Sequence, residues 1–256
     1  MSPALALVAA SVRTHGRDRL QPTTLEFAAG SVTAVIGRNG SGKSTLLSLL
    51  AWELHPSSGS VHVLGDDAAS LGLVELARRR AILTQDSTVS FPFTVGEVVG
   101  WGRFPWRSTE RAADDDAVIM ASIEAQGLMD LVDRPVTALS GGERKRVHLA
   151  RVLAQQTPIL LLDEADSDLD LVGRRVIDDL VLDHSRRGDT TIVVSHDVDR
   201  MARVCDRFVL MREGRVHAAG PPDEVLRPGL LSETFGAQVV VERTGGHVSV
   251  HLPDAR

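Results

Sequence analysis

The sequence has one cysteine, Cys205, no tyrosine, and only 4% aromatic residues in 256 positions. One cysteine cannot close an internal disulfide, so stability must come from packing, and a chain of this length can bury a large core. With Met201, Ala202 and Val204 close by, Cys205 reads as a packed side chain. No apolar run is long enough to cross a bilayer as a helix. Leu5-Ala6-Leu7-Val8-Ala9-Ala10 has no basic segment before it and no cleavage pattern after it, so it reads as a first strand and not as a leader. The net charge is −6, which leaves no general positive excess for a nucleic-acid backbone, and no nucleic-acid partner is expected. Internal repeats and low-complexity segments are also absent.

What the chain does have is phosphate chemistry. Gly37-Arg38-Asn39-Gly40-Ser41-Gly42-Lys43-Ser44-Thr45 fits the phosphate-binding pattern G-x-x-x-x-G-K-[ST]. Glycines let successive N–H groups turn inward around an anion, and a helix opening at the lysine aims its positive end at the same place. The context agrees: Ser31-Val32-Thr33-Ala34-Val35-Ile36 reads as a buried strand, and Leu46, Leu47, Leu49 and Leu50 give the following helix an apolar face. Lys43 is placed to reach the β- and γ-phosphates, and the Ser44 hydroxyl to hold Mg²⁺. A second buried strand, Ile159-Leu160-Leu161-Leu162, ends in Asp163-Glu164. Beside a phosphate loop, this pair reads as a carboxylate for the Mg²⁺ shell and one that polarises the attacking water. A third segment, Leu139-Ser140-Gly141-Gly142-Glu143, opens a long helix with a hydroxyl and free amides, a second anion-gripping start.

Around these motifs the pattern alternates. Residues 5–27 read as antiparallel edge strands with a turn at His15-Gly16-Arg17-Asp18, and 61–64 and 81–84 as strands with a helix at 73–80 between them. Residues 56–60 read as a turn. Helices are expected at 111–126, with Ala117, Ile119, Met120 and Ile123 inward, and at 141–155, 171–186 and 198–205. A strand is expected at 191–194 and a closing hairpin at 239–252, turning at Thr244-Gly245-Gly246-His247. Such alternation predicts an α/β fold with a mostly parallel sheet covered on both faces.

With these motifs in this order, nearly the whole chain resembles the ATP-binding cassette family, whose LSGGQ-type signature matches Leu139 to Glu143 with glutamate last. The resemblance implies a single cassette over 1–256. Its parts are a P-loop NTPase core (1–85 and 140–235) whose mostly parallel sheet is joined by an antiparallel N-terminal sheet, an inserted helical subdomain (86–139) and a C-terminal hairpin (236–256). It implies an ATPase working as a head-to-tail homodimer, in which Ser140, Gly141, Gly142 and Glu143 of one copy close over the ATP held by Gly37, Arg38, Asn39, Gly40, Ser41, Gly42, Lys43, Ser44 and Thr45 of the other. Position by position, Gln85 joins Ser44 and Asp163 as an Mg²⁺ residue, and Glu164 and His196 are catalytic. Ser167-Asp168-Leu169-Asp170 becomes the loop that crosses the dimer interface.

Two positions depart from the family pattern. Ala165-Asp166 stands where Pro-Thr is usual, and Thr14, with His15 beside it, stands where an aromatic ring stacks on adenine.

A cassette without its own span resembles the importer type, whose permease is a separate chain. Phe91-Pro92-Phe93-Thr94-Val95, Gly102-Arg103-Phe104-Pro105-Trp106 and the signature segment resemble the branch that imports haem, iron–siderophores and cobalamin, haemin most of all. The expected function is therefore the ATP-hydrolysing subunit of a haemin importer, peripheral on the cytoplasmic face of the cell membrane. Its expected partners are a second copy, a permease dimer and, indirectly, a substrate-binding protein. A siderophore or cobalamin importer, or a cytosolic scaffold of the iron–sulfur assembly type, are the alternatives. A repair or chromosome ATPase would need a long coiled coil between Lys43 and Ser140, where there is no room for one. The stretch from Val95 to Trp106, with Arg103 and Arg107, reads either as a permease-docking surface or, for Trp101 and Trp106, as subdomain core.

Overall fold

The computed structural model describes residues 2–85, 89–167, 169–245 and 247–253. β1 (Pro3–Thr14) and β2 (Arg17–Ala28) form the expected hairpin. β3 (Val32–Gly37) is buried at every position and runs straight into the phosphate loop and α1 (Lys43–Leu50). β4 (Ser58–Val63) and the two-residue β5 (Asp66–Asp67) extend the N-terminal sheet to the order β2-β1-β4-β5, all antiparallel. Ser58 to Ser60, expected as a turn, are therefore strand, paired irregularly with β1, which carries one extra residue between Val8 and Ser11.

α2 (Leu73–Arg79) feeds β6 (Arg80–Leu83). α3 (Val95–Gly100), α4 (Asp115–Ala125) and the front of α5 (Gly141–Ala154) then pack around Val95, Val98, Val99, Ile123, Leu128, Val136, Val147 and Ala150. The expected helix at 111–126 begins as a 3-10 turn (Glu110–Asp114), and its inward face is rotated: Ser122 and Ile123 are buried whereas Ala117 and Met120 are exposed. With apolar residues on nearly every side of α4, periodicity could not choose the face; the neighbouring α3 and α5 did.

β7 (Ile159–Asp163), α6 (Leu171–Arg186), β8 (Thr190–Val194) and α7 (Val198–Val204) follow. Then come β9 (Arg207–Arg212), β10 (Arg215–Gly220), α8 (Pro222–Val225) and α9 (Pro228–Phe235), which sequence reading had not placed although Phe208-Val209-Leu210-Met211 before Glu213-Gly214 is a hairpin signal. β11 (Val240–Thr244) and β12 (His247–His251) are the closing hairpin; Gly246 of its turn lies outside the described residues.

The main sheet has the order β10-β9-β3-β8-β7-β6, with every pairing parallel except β10–β9. Alternation along the strands divides the core in two. Ala34, Ile36, Leu160, Leu162 and Val193 face α5, α6 and α7, and Val35, Ile159, Leu161, Ile192 and Val194 face α1 and the N-terminal sheet. Strands buried on both faces need apolar residues at every position, which is why these runs do not alternate with polar ones.

The segment Trp101–Trp106 is a 3-10 turn wedged against the end of α5. Arg103 is buried and donates to the Asp115 carboxylate at 2.7 Å, the Ala154 carbonyl at 2.9 Å and the Gln156 side-chain oxygen at 3.0 Å. Trp106 Nε1 donates to the Gln155 carbonyl at 2.7 Å. Arg103 and Trp106 thus cap the C-terminal carbonyls of α5 and are largely buried there. Phe91, Phe93 and Phe104 are the exposed rings, Phe104 lying beneath the Arg107 guanidinium at 3.9 Å. A Cβ at Gly102 would collide with the Arg151 carbonyl and press on Ala154. Gly102→Ala is expected to destabilise the chain by about 1–3 kcal/mol, as overpacking does, read as a lower urea midpoint with an unchanged slope.

Candidate nucleotide site

Four parallel strands that lie side by side end at one edge of the sheet, and each delivers a different group there. β3 leads into the phosphate loop, β8 into Ser195-His196, β7 into Asp163-Glu164 and β6 into Thr84-Gln85. In register, Leu83 pairs with Leu162, and Asp163 with Val194. This is the carboxyl edge, where α/β folds hold ligands.

Within the loop, Gly40 and Gly42 take φ values of +76° and +104°, and a Cβ on Gly42 would stand 3.0 Å from the Arg19 carbonyl. Any L side chain would be strained here. Lys43 is buried and donates to the carbonyls of Gly37 at 3.0 Å and Arg38 at 3.2 Å. Burial pulls its ammonium below the ordinary lysine value, against the opposing pull of the Glu164 and Asp163 carboxylates. Asp163 is buried near the Ser44 hydroxyl. Burial raises Asp163 above the usual carboxylate range, and the nearby Ser44 hydroxyl works the other way. Among the described residues its Oδ1 has no hydrogen-bond partner.

Glu164 stands at the centre. His196 Nε2 donates to its Oε1 at 2.6 Å and Gln85 Nε2 to its Oε2 at 3.1 Å. Its backbone sits at φ +48°, a left-handed value that costs a non-glycine residue about 1–3 kcal/mol and survives only where the surroundings impose it. They do: its N–H donates to the Val194 carbonyl at 3.1 Å and its carbonyl accepts from Lys145 Nζ at 2.8 Å.

Asn39, Gly40, Gly42, Lys43, Ser44, Thr45, Gln85, Glu164 and His196 line one cavity of about 560 Å³. Arg38 and Ser41 line a neighbouring one of about 200 Å³ under Gly236 at the end of α9. Neither Ser140, Gly141, Gly142 and Glu143 nor Asp170 lines the 560 Å³ cavity. Ser140 instead caps α5, in a box where its Oγ accepts from the Glu143 N–H and the Glu143 carboxylate accepts from the Ser140 N–H at 2.7 Å and hydroxyl at 2.7 Å. The hydroxyl bond holds the Glu143 carboxyl below its usual range. Asp170 caps α6 by accepting from the Gly173 N–H at 2.8 Å, and Asp168 lies outside the described residues.

Sequence reading missed the cavity's other wall: Arg17, Asp18 and Arg19 of β2, and Glu213-Gly214 between β9 and β10. The wall reaches β2 at these residues and not at Thr14 or His15. The two turns meet because Gln21 N donates to the Gly214 carbonyl at 2.7 Å, a contact between positions far apart in sequence.

A glycine loop with a buried lysine, a hydroxyl beside a buried carboxylate, and a glutamate held by histidine and glutamine make this a P-loop nucleotide triphosphatase. The ABC transporter family model matches residues 20–167. "Hemin import ATP-binding protein HmuV" of Streptomyces coelicolor is 44% identical, over 95% of this chain and 89% of that protein. "Cobalamin import ATP-binding protein BtuD" of Halobacterium salinarum is 42% identical, over 88% of this chain and 58% of that one. A metal-chelate type ABC transporter solved in an inward-facing conformation superposes with TM-score 0.81 at 23% identity, over 98% and 96% of the two chains. This chain belongs to the ABC transporter family, and it is an ATPase.

Proposed function

We propose that this chain energises haemin uptake across the cytoplasmic membrane as the ATPase subunit of an importer. What carries the reading is the meeting of phosphate loop, Asp163, Glu164, Gln85 and His196 at one edge, in a chain most of whose length matches a haemin-import ATPase. We further propose the division into core (1–85 and 140–235), helical subdomain (86–139) and C-terminal hairpin (236–256), with α5 packing against both of the first two.

ATP lies along Gly37 to Thr45, with Lys43 at the outer phosphates. Because Ser140 to Glu143 stand away from this cavity, they serve the ATP of a second copy, and Asp170 sits in the loop between the copies. Ser44, Asp163 and Gln85 fit Mg²⁺: their oxygens are hard donors, and Asp163 Oδ1 is buried with no hydrogen-bond partner among the described residues. When bound, the ion neutralises phosphate charge. Glu164 takes a proton from the attacking water, His196 holds the γ-phosphate, and ATP and water leave as ADP and phosphate.

The chain works at the cytoplasmic face, where a short helix of a permease dimer enters the cleft of about 1200 Å³ bordered by Arg78 of α2, Ala117 and Ala121 of α4, and Leu153 of α5. The exposed apolar side of α4 supports this seat, and β6 joins it to Gln85. Among the described residues no helix is long and apolar enough to cross a membrane. A haem-loaded substrate-binding protein acts through the permease.

The test is ATPase activity of the chain with its permease in nanodiscs. Stimulation by a haemin-loaded binding protein is expected. Stimulation only by a ferric siderophore or cobalamin, the latter favoured by the match to a cobalamin-import ATPase, would move the cargo. Activity indifferent to any permease would return the chain to the scaffold class.

A further inference from the structure

The dipeptide after Glu164 is Ala165-Asp166, and the aspartate is not idle. Its side chain is 13% exposed, and its Oδ2 receives Nη1 of Arg200, itself 11% exposed, in a short ion pair. Arg200 lies one turn into α7, the helix that starts two residues after His196. The same Oδ2 accepts from the fully buried Ser195 hydroxyl at 3.1 Å, and Ser195 Oγ in turn accepts from the Asp197 N–H at 3.1 Å. One carboxylate oxygen therefore binds both the residue before His196 and the helix after it.

The guanidinium has a second partner of a different kind. Arg200 Nε donates to Asp178 Oδ1 at 2.8 Å, which joins α7 to α6 within the packed core. The Asp178 tie links two helices; the Asp166 tie links a helix to the loop that bears the glutamate. On its other side that loop is gripped by Lys145 of α5, whose Nζ donates to the carbonyls of Glu164 and Ser167, each at 2.8 Å, and to Ser167 Oγ at 2.6 Å. Residues 164–167 are thus held between a cation from the signature helix and one from the helix behind His196.

We propose that Asp166 and Arg200 are positioning residues that fix the Glu164 carboxylate against His196 by locking their two backbones together. The proposal rests on Glu164 and His196 acting as assigned above. The physical need is clear. Glu164 is held at a positive φ, and a small shift of either backbone would break the 2.6 Å contact to His196; misplacement of about 1 Å costs a catalytic group up to 100-fold. An ion pair screened from water holds that geometry better than a neutral hydrogen bond in its place would.

The experiment compares Asp166→Asn, Arg200→Met, Arg200→Lys, Asp178→Asn and Glu164→Gln in the full chain by steady-state ATPase kinetics and thermal unfolding. Asp166→Asn is expected to lower kcat about tenfold with KM for ATP within about twofold of the parent. Arg200→Met should do the same, adding Asp166→Asn to it should cost nothing more, and Arg200→Lys should restore part of the rate. Asp178→Asn should lower the unfolding midpoint while kcat stays within about twofold. A parental kcat in Asp166→Asn, or equal losses of kcat in Asp166→Asn and Asp178→Asn that track their midpoints, overturns the pair. If Glu164→Gln itself turns over normally, the underlying assignment of Glu164 fails instead.

Discussion

Glu164→Gln is expected to lower ATP turnover by about 10²- to 10⁴-fold, the range a positioned general base contributes. The substitution is shape-conserving. The amide keeps one oxygen to accept from His196 or Gln85, which now hold the carboxylate at 2.6 Å and 3.1 Å, and the backbone ties to Val194 and Lys145 are untouched. What is lost is the ability to take a proton. Nucleotide contacts remain, so ATP should stay bound and two copies should stay closed around it. Single-turnover phosphate release together with size-exclusion chromatography in ATP would show a slow chemical step and a persistent dimer. Rapid turnover, or normal turnover with ATP binding lost, would remove Glu164 from this role.

Lys43→Met is expected to weaken ATP binding by about 100-fold or more, since two hydrogen bonds from a charged donor to phosphate are worth roughly 3 kcal/mol together. Fold stability should respond in the opposite sense. Lys43 is a buried ammonium that bonds the Gly37 and Arg38 carbonyls, and methionine keeps the stem while removing the charge that burial penalises. The nucleotide-free variant should therefore melt no lower than the parent. Stabilisation by ATP separates the two effects: ligand at 100 times Kd contributes about 2.7 kcal/mol, and after a 100-fold loss of affinity the same concentration contributes about 0.4 kcal/mol. Calorimetric melting of both proteins with and without ATP reads this directly. An ATP-induced shift equal to the parent's would show that Lys43 does not meet phosphate.

Legibility differed between kinds of residue. Gly40 and Gly42 carry their conformational reason in their identity, and Val32 to Ile36 and Ile159 to Leu162 announce doubly buried strands by lacking polar positions. Arg103 and Trp106 were ambiguous because an arginine or an aromatic ring suits an interface as well as a helix C-terminus. Only the proximity of Ala154 and Gln155, some fifty positions later, makes them internal. Arg17 and Arg19 were illegible as site residues, since a polar turn beside a hairpin carries no sign of what will pack against it.

The sequence by itself determined the phosphate loop, the carboxylate pair, the signature and the alternation that makes a parallel sheet, because each depends on local backbone freedom or on burial along one strand. The tertiary structure alone decided that Gln85, Glu164 and His196 touch, that Arg17 to Arg19 and Glu213-Gly214 wall the cavity, and that Asp166 reaches Arg200. Those facts are set by strand order and register, which bring positions separated by tens to nearly two hundred residues within hydrogen-bond distance. Neither order nor register is written in any short stretch of chain.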